Sequence, residues 1–136
     1  MDDADIWRSP GPLITSIGCT IQHLSGNTRQ WILSGVLGDK DNRMRSEEFI
    51  ENEHVNLKEI LNELELELKE RHEEIEGVDL TEVVVIQGFN VSKFSAIIHV
   101  IEHFSYHTGQ ITLLAKLYSE ADTGYYSDKD LSVRNE

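Results

Sequence analysis

"HVIEHFSYHTGQITLLAKLY", His99 to Tyr118, is the stretch on which the fold turns. Its apolar residues recur with the period of a helix rather than a strand. Three of the chain's six histidines, His99, His103 and His107, stand in it at every fourth position. Side chains four apart lie on one helix face, one turn from each other. Extended outward, the pattern predicts a helix from about Ser92 to Ser119, and a helix this apolar must be covered by others.

The covering elements are sought on either side. "TSIGCTIQHLSGNTRQWILSG", residues 15–35, reads as a helix with Thr15 or Ser16 as its N-cap. Ile17, Ile21, Leu24, Thr28 and Trp31 form its stripe, and Gly35 is its expected stop. Gly26 inside it costs about 1 kcal/mol relative to alanine, so a neighbour is expected close to the backbone there. "VLGDKDNRMRSEEF" follows as a polar loop. A second helix is expected from Glu48 to Glu76, capped by Ser46 or Asn52 and ended by Gly77. Its stripe is Ile50, Leu57, Leu61, Leu64, Leu68 and Ile75, with glutamates and lysines opposite.

"VDLTEVVVIQGFN" breaks the helical rhythm. Val83, Val84, Val85 and Ile86 are β-branched and favour extended backbone, but a lone strand makes no sheet, so a buried connection is expected. Pro10 and Pro12 make residues 1–15 an extended lead-in, and residues 120–136 form a turn-rich tail expected to lie back over the helices. The whole, residues 1–136, is expected to be one all-α domain with three long helices. Three are one short of the common four-helix arrangement, which leaves a place for the tail or for a second subunit.

Composition narrows the function. The 136 residues carry a formal net charge of −13, which repels phosphate backbones and anionic lipid, so neither nucleic acid nor a membrane surface is an expected partner. Arg43 and Arg45 are the one candidate basic patch, and salt bridges to Glu47, Glu48 or another carboxylate are favoured for them over anion recognition. A single cysteine, Cys19, excludes an internal disulfide. No apolar run approaches a membrane span, and the acidic "MDDADIW" start lacks a signal peptide's pattern, so a cytoplasmic protein is expected.

The histidines carry the chemistry. His103 and His107, four apart, can converge on one ion, provided a third ligand comes from another helix. On the first helix the imidazole is His23, on the shoulder of its apolar stripe, matching the shoulder position of His103 and His107. Packing is the competing explanation, because an isolated HxxxH pair is common in helices. His99 projects away from His107, toward the polar face, and is read as a surface residue or a support for the ligands. His54 and His72 lie in the glutamate-rich helix as surface residues, and Cys19 reads as a buried small hydrophobe before a fourth ligand. The stretch lacks the glutamate of HExxH peptidases, and the chain has neither a glycine-rich phosphate loop nor paired ExxH motifs.

Three motifs occur in order: HLxGN at His23–Asn27, RxRxxEF at Arg43–Phe49 and HxxxHxGQ at His103–Gln110. Together they resemble the DinB/YfiT-like superfamily, in a branch of uncharacterised proteins, over Ser16 to about Tyr126. The resemblance implies an up-down four-helix bundle in which three histidines hold a divalent metal, commonly zinc or nickel. Carried over motif by motif, the ligands are His23, His103 and His107. It implies open coordination positions and, in some members, thiol-dependent transfer with a low-molecular-weight thiol. Against that pattern the family's first helix is missing here, by start-site choice, by loss or by replacement with a dimer partner, and a homodimer is expected. Asn27 and Gln110 each follow a ligand within one turn and are expected, with His99, to orient the imidazoles. The expected function is therefore a metal-dependent transferase or hydrolase. The alternative is a non-catalytic metal-binding or dimeric interaction protein whose ion is structural.

Overall fold

A computed structural model describes residues 3–52, 54–119 and 124–132. The described residues are mostly helical, with one small two-stranded sheet. α1 (Asp3–Trp7) leads into α2 (Ile17–Thr28), which continues without a break as a wider π-helical segment, Arg29–Val36. A 3₁₀ segment, Arg45–Phe49, ends the following loop. Then come α3 (Leu57–Glu70), α4 (His72–Glu76), β1 (Val83–Ile86), β2 (Phe89–Ser92) and α5 (Lys93–Ser119).

α2 is the central element. Ser16 caps it as expected, its Oγ accepting from the Cys19 amide at 3.2 Å. Ile17, Cys19, His23, Leu24, Asn27 and Thr28 are all buried, because α1, the 3₁₀ segment, α3 and α5 each pack on it. The helix runs on through Gly35 rather than stopping there, and the chain turns at Gly38, whose φ is +87°. The core lies beyond, where Trp31, Ile32 and Val36 meet Ile86 of the sheet and Ala96 and Val100 of α5. α5 matches its predicted limits to within a residue.

Three expectations are corrected. The lead-in is not wholly extended: α1 forms within it and places Trp7, 5% exposed, against α2. The helix expected over Glu48–Glu76 begins only at Leu57. Asn56, not Ser46 or Asn52, caps it by accepting from the Glu59 amide at 3.2 Å, and a break at Arg71 separates α3 from α4. Ile50 is consequently exposed rather than part of the stripe.

The valine run is not a buried connection. It pairs antiparallel with β2, Val83 opposite Ser92 and Ile86 opposite Phe89. The two-residue turn is Gln87–Gly88, with φ of 51° and 83°, both in the left-handed region that hairpin turns require. One face of β1 is open, with Val83 and Val85 exposed, while Ile86 packs into the core. Of the tail, residues 124–132 form turns, and the Tyr125 hydroxyl bonds Thr112 of α5 at 3.1 Å. The rest of the expected tail, residues 120–123 and 133–136, lies outside the described residues. No described helix is long and apolar enough to cross a membrane.

Candidate metal centre

The contact of α2 with α5 brings three imidazoles together. His23 comes from the middle of α2, and His103 and His107 from successive turns of α5. One ligand-type atom from each lies within 4.8 Å of the other two, and among the described residues no other cluster of three or more metal-binding side chains forms. His23 Nε2 and His103 Nε2 are 3.2 Å apart. Two nitrogens held by one tetrahedral ion at zinc–nitrogen distances are separated by roughly 3.3 Å, so this pair is already at ligand spacing. His23 is buried, and His103 and His107 are half-buried, at the edge of the core.

Each ring's other nitrogen decides which nitrogen remains for an ion. His23 Nδ1 lies 2.9 Å from Glu48 Oε2. Arg43 grips the same carboxylate, Nε on Oε1 at 2.6 Å and Nη2 on Oε2 at 2.8 Å, and also donates to Gln30 Oε1 at 2.7 Å. Burial alone would raise the Glu48 carboxyl, but the hydrogen bonds from Arg43 and His23 outweigh it and its pKa lies below the ordinary range. An ionised Glu48 only accepts, so His23 Nδ1 carries the proton and Nε2 keeps its lone pair. Arg43 Nη2 also approaches His23 Nδ1, at 3.2 Å, but the shorter bond to Glu48 is its hydrogen-bonding partner.

His107 is arranged in the same way by a different group. Its Nδ1 donates to Gln110 Oε1 at 2.7 Å, and Gln110 Nε2 donates to the Tyr106 hydroxyl at 3.0 Å, which fixes the amide's orientation. Gln110 therefore hydrogen-bonds the His107 ring from three residues on. His99 does not face solvent: it stacks on Trp31 with ring centroids 3.9 Å apart and lies 5.4 Å from the His103 ring. Asn27 is buried one turn from His23, but its Oδ1 bonds no protein group. Cys19 is buried on α2 and is no part of the cluster.

The electrostatics suit neutral imidazoles. Burial, then the neighbouring rings, lowers His103 to about 4. His107 and His99 are lowered too, chiefly by burial. Neutral rings present lone pairs at pH 7, the form a metal requires. The donor set, the supported Nδ1 atoms of His23 and His107 and the spacing fit a divalent ion bound by the three imidazoles.

Glu48 was the residue that sequence reasoning missed as a support. It was placed only as a salt-bridge partner for Arg43, which it is, with both side chains at least nine-tenths buried. The available signal was Gly26. A Cβ there would collide with the Glu48 carboxylate, so the close neighbour predicted from that glycine is this ion pair. A cleft of about 620 Å³ opens behind it between α2, the loop and α3, and Arg43 and Glu48 line it while none of the three histidines does.

No curated protein and no solved structure gives a significant match to the chain. A family model described as "Protein of unknown function (DUF1572)" matches residues 1–128, which take in all three histidines, Arg43, Glu48 and Gln110. The chain belongs to the DUF1572 family.

Proposed function

We propose that the chain is a divalent-metal-dependent enzyme of the DinB/YfiT-like kind, a helical bundle whose ion, zinc or nickel, is held by His23, His103 and His107. The observation that carries this reading is the convergence of three imidazoles, two of them held at Nδ1 from outside the cluster, His23 by Glu48 and His107 by Gln110. Three converging imidazoles, two of them with supported rings, and no fourth ligand among the described residues make the pattern of catalytic rather than closed structural sites. When bound, such an ion supplies Lewis acidity and lowers the pKa of a coordinated thiol or water.

The chain's own residues do the rest. Glu48, held by Arg43, keeps His23 in one tautomer and balances part of the charge brought to the site. Gln110 does the first of these for His107. The exposed rings of Phe49, 5.3 Å from His23, and Tyr106, 5.0 Å from His107, flank the histidines and give a small substrate an apolar approach. The reaction class that fits is thiol-dependent transfer, with hydrolysis by an activated water as its variant.

A second reading is favoured by the outer face of α5. Phe94, Ile101, Leu113 and Leu117 are each more than half exposed there, an apolar surface suited to a homodimer in which the ion is structural. Cobalt-loaded protein separates the two. An enzyme with an exchangeable position changes its visible spectrum on addition of a low-molecular-weight thiol, with a new sulfur-to-metal charge-transfer band. An unchanged spectrum, with dimer found by sedimentation, supports the structural reading.

A further inference from the structure

Four buried polar atoms at the α2–α5 contact bond no protein group: Asn27 Oδ1, Trp31 Nε1, His99 Nε2 and His103 Nδ1. They are not scattered. Asn27 and Trp31 stand four apart on α2 and its π-helical continuation, and His99 and His103 stand four apart on α5. Trp31 stacks on His99 at one end, and His103 meets His23 at the other. Asn27 stands one turn from both His23 and Trp31, so the four residues share the contact of α2 and its continuation with α5 that also carries the histidine cluster. Buried polar groups are hydrogen-bonded as a rule, because leaving one without a partner forfeits its solvation.

We propose that Asn27, Trp31 and His99 hold one internal water that serves as the hydrogen-bonding support of His103, the one ligand whose Nδ1 bonds neither a carboxylate nor an amide. A water accepts two hydrogen bonds and donates two, and buried waters characteristically take three or four polar partners. Trp31 Nε1 only donates and Asn27 Oδ1 only accepts. The remaining two places must then be one donor and one acceptor, shared between His99 Nε2 and His103 Nδ1.

Which is which depends on the metal, so this part rests on the metal reading above. Without an ion, His23 Nε2 is an acceptor, because the ring's proton stands on Nδ1 and is donated to Glu48. The 3.2 Å contact then requires His103 to donate from Nε2, leaving its Nδ1 bare. The water donates to that Nδ1, and His99 must donate from its own Nε2. With an ion on His103 Nε2, the His103 proton stands on Nδ1 and donates to the water. His99 Nε2 must then accept, so its proton moves to Nδ1. Each ring keeps one proton throughout, and neither gains nor loses charge. Metal binding at His103 thus switches the tautomer of His99, which does not touch the ion.

Nitrogen-15 NMR of the full chain, recorded without metal and with one equivalent of zinc, tests this without needing activity. The Trp31 indole proton is expected to show a nuclear Overhauser effect to a long-lived water in the metal-free protein. His99 and His103 are expected to be protonated at Nε2 without zinc and at Nδ1 with it. A Trp31 indole with no bound-water contact overturns the proposal, as does a zinc-induced change at His103 that leaves the His99 tautomer unmoved. A water contact at Trp31 with no response to zinc at any histidine supports the water site and overturns the metal reading instead.

Discussion

At the scale of single residues, Glu48 is where stability and the site meet. Its carboxylate joins Arg43 on the loop to His23 on α2, and both partners in the ion pair are buried. Glu48→Ala leaves a buried guanidinium unpaired and is expected to cost about 3 kcal/mol in chemical denaturation. Glu48→Gln still accepts from His23 but weakens the hold of Arg43 and removes the charge opposite the ion. It is expected to lower zinc affinity roughly 10–100-fold in a chelator-competition titration. An affinity within twofold of wild type would show that Glu48 serves only the loop.

Acid is expected to act on the same groups. His99, His103 and His107 all have folded-state values below the ordinary histidine value. In the metal-free protein the unfolded chain therefore binds protons first as pH falls. The stability these neutral rings retain at pH 7 is lost progressively below the unfolded value of about 6.5, with the His103 share lost down to about pH 4. Denaturation midpoints between pH 7.5 and 4.5 check the sign. A midpoint that rises on acidification would contradict the buried, neutral description of these rings.

At the scale of elements, two positions tie backbone to packing. Gly26→Ala improves helix propensity by about 1 kcal/mol, but its methyl group must displace the Glu48 carboxylate. Net destabilisation and weakened zinc binding are expected together, because the displaced group is the one that holds His23. Gln87 sits at φ 51°, where an asparagine is tolerated better, ahead of Gly88. Gln87→Asn is expected to raise stability by up to about 1 kcal/mol with no change in zinc affinity, since the hairpin lies at the far end of the core.

The elements also show what periodicity can and cannot reveal. α5 was legible because one stripe of buried positions repeats over its full length. The 3₁₀ segment and the break at Arg71 were not, because Ile50 and Ile75 stand seven residues from Leu57 and Leu68 and extend a helical stripe across both irregularities. The hairpin was missed for a different reason. "FNVS" has only two β-forming residues, Phe89 and Val91, too short a run to stand out, and its pairing is set by the Gln87–Gly88 turn. The clustered histidines could be found from helix faces, but Glu48 could not, since its contact with His23 depends on a loop folding back over Gly26. His99 was misplaced by the projection because the flat Trp31 ring reaches it from α2.

At the scale of the whole molecule, α2 is surrounded on every side, while α5 is covered on one face and bare on the other. That asymmetry places the histidine cluster at the margin of the core, where burial lowers His103 and His107 while both rings remain within reach of solvent. The strongly acidic surface adds a field that favours a cation at the site and disfavours anionic macromolecules.

The central claim is that His23, His103 and His107 bind one ion per chain, and elemental analysis of the purified protein tests it most directly. Inductively coupled plasma mass spectrometry is expected to find close to one divalent metal per chain, after zinc or nickel supplementation and desalting. A His103→Ala/His107→Ala variant, shown by circular dichroism to keep its helices, is expected to have lost it. A folded wild-type protein that retains no metal under those conditions, or a variant that retains it in full, would contradict the account.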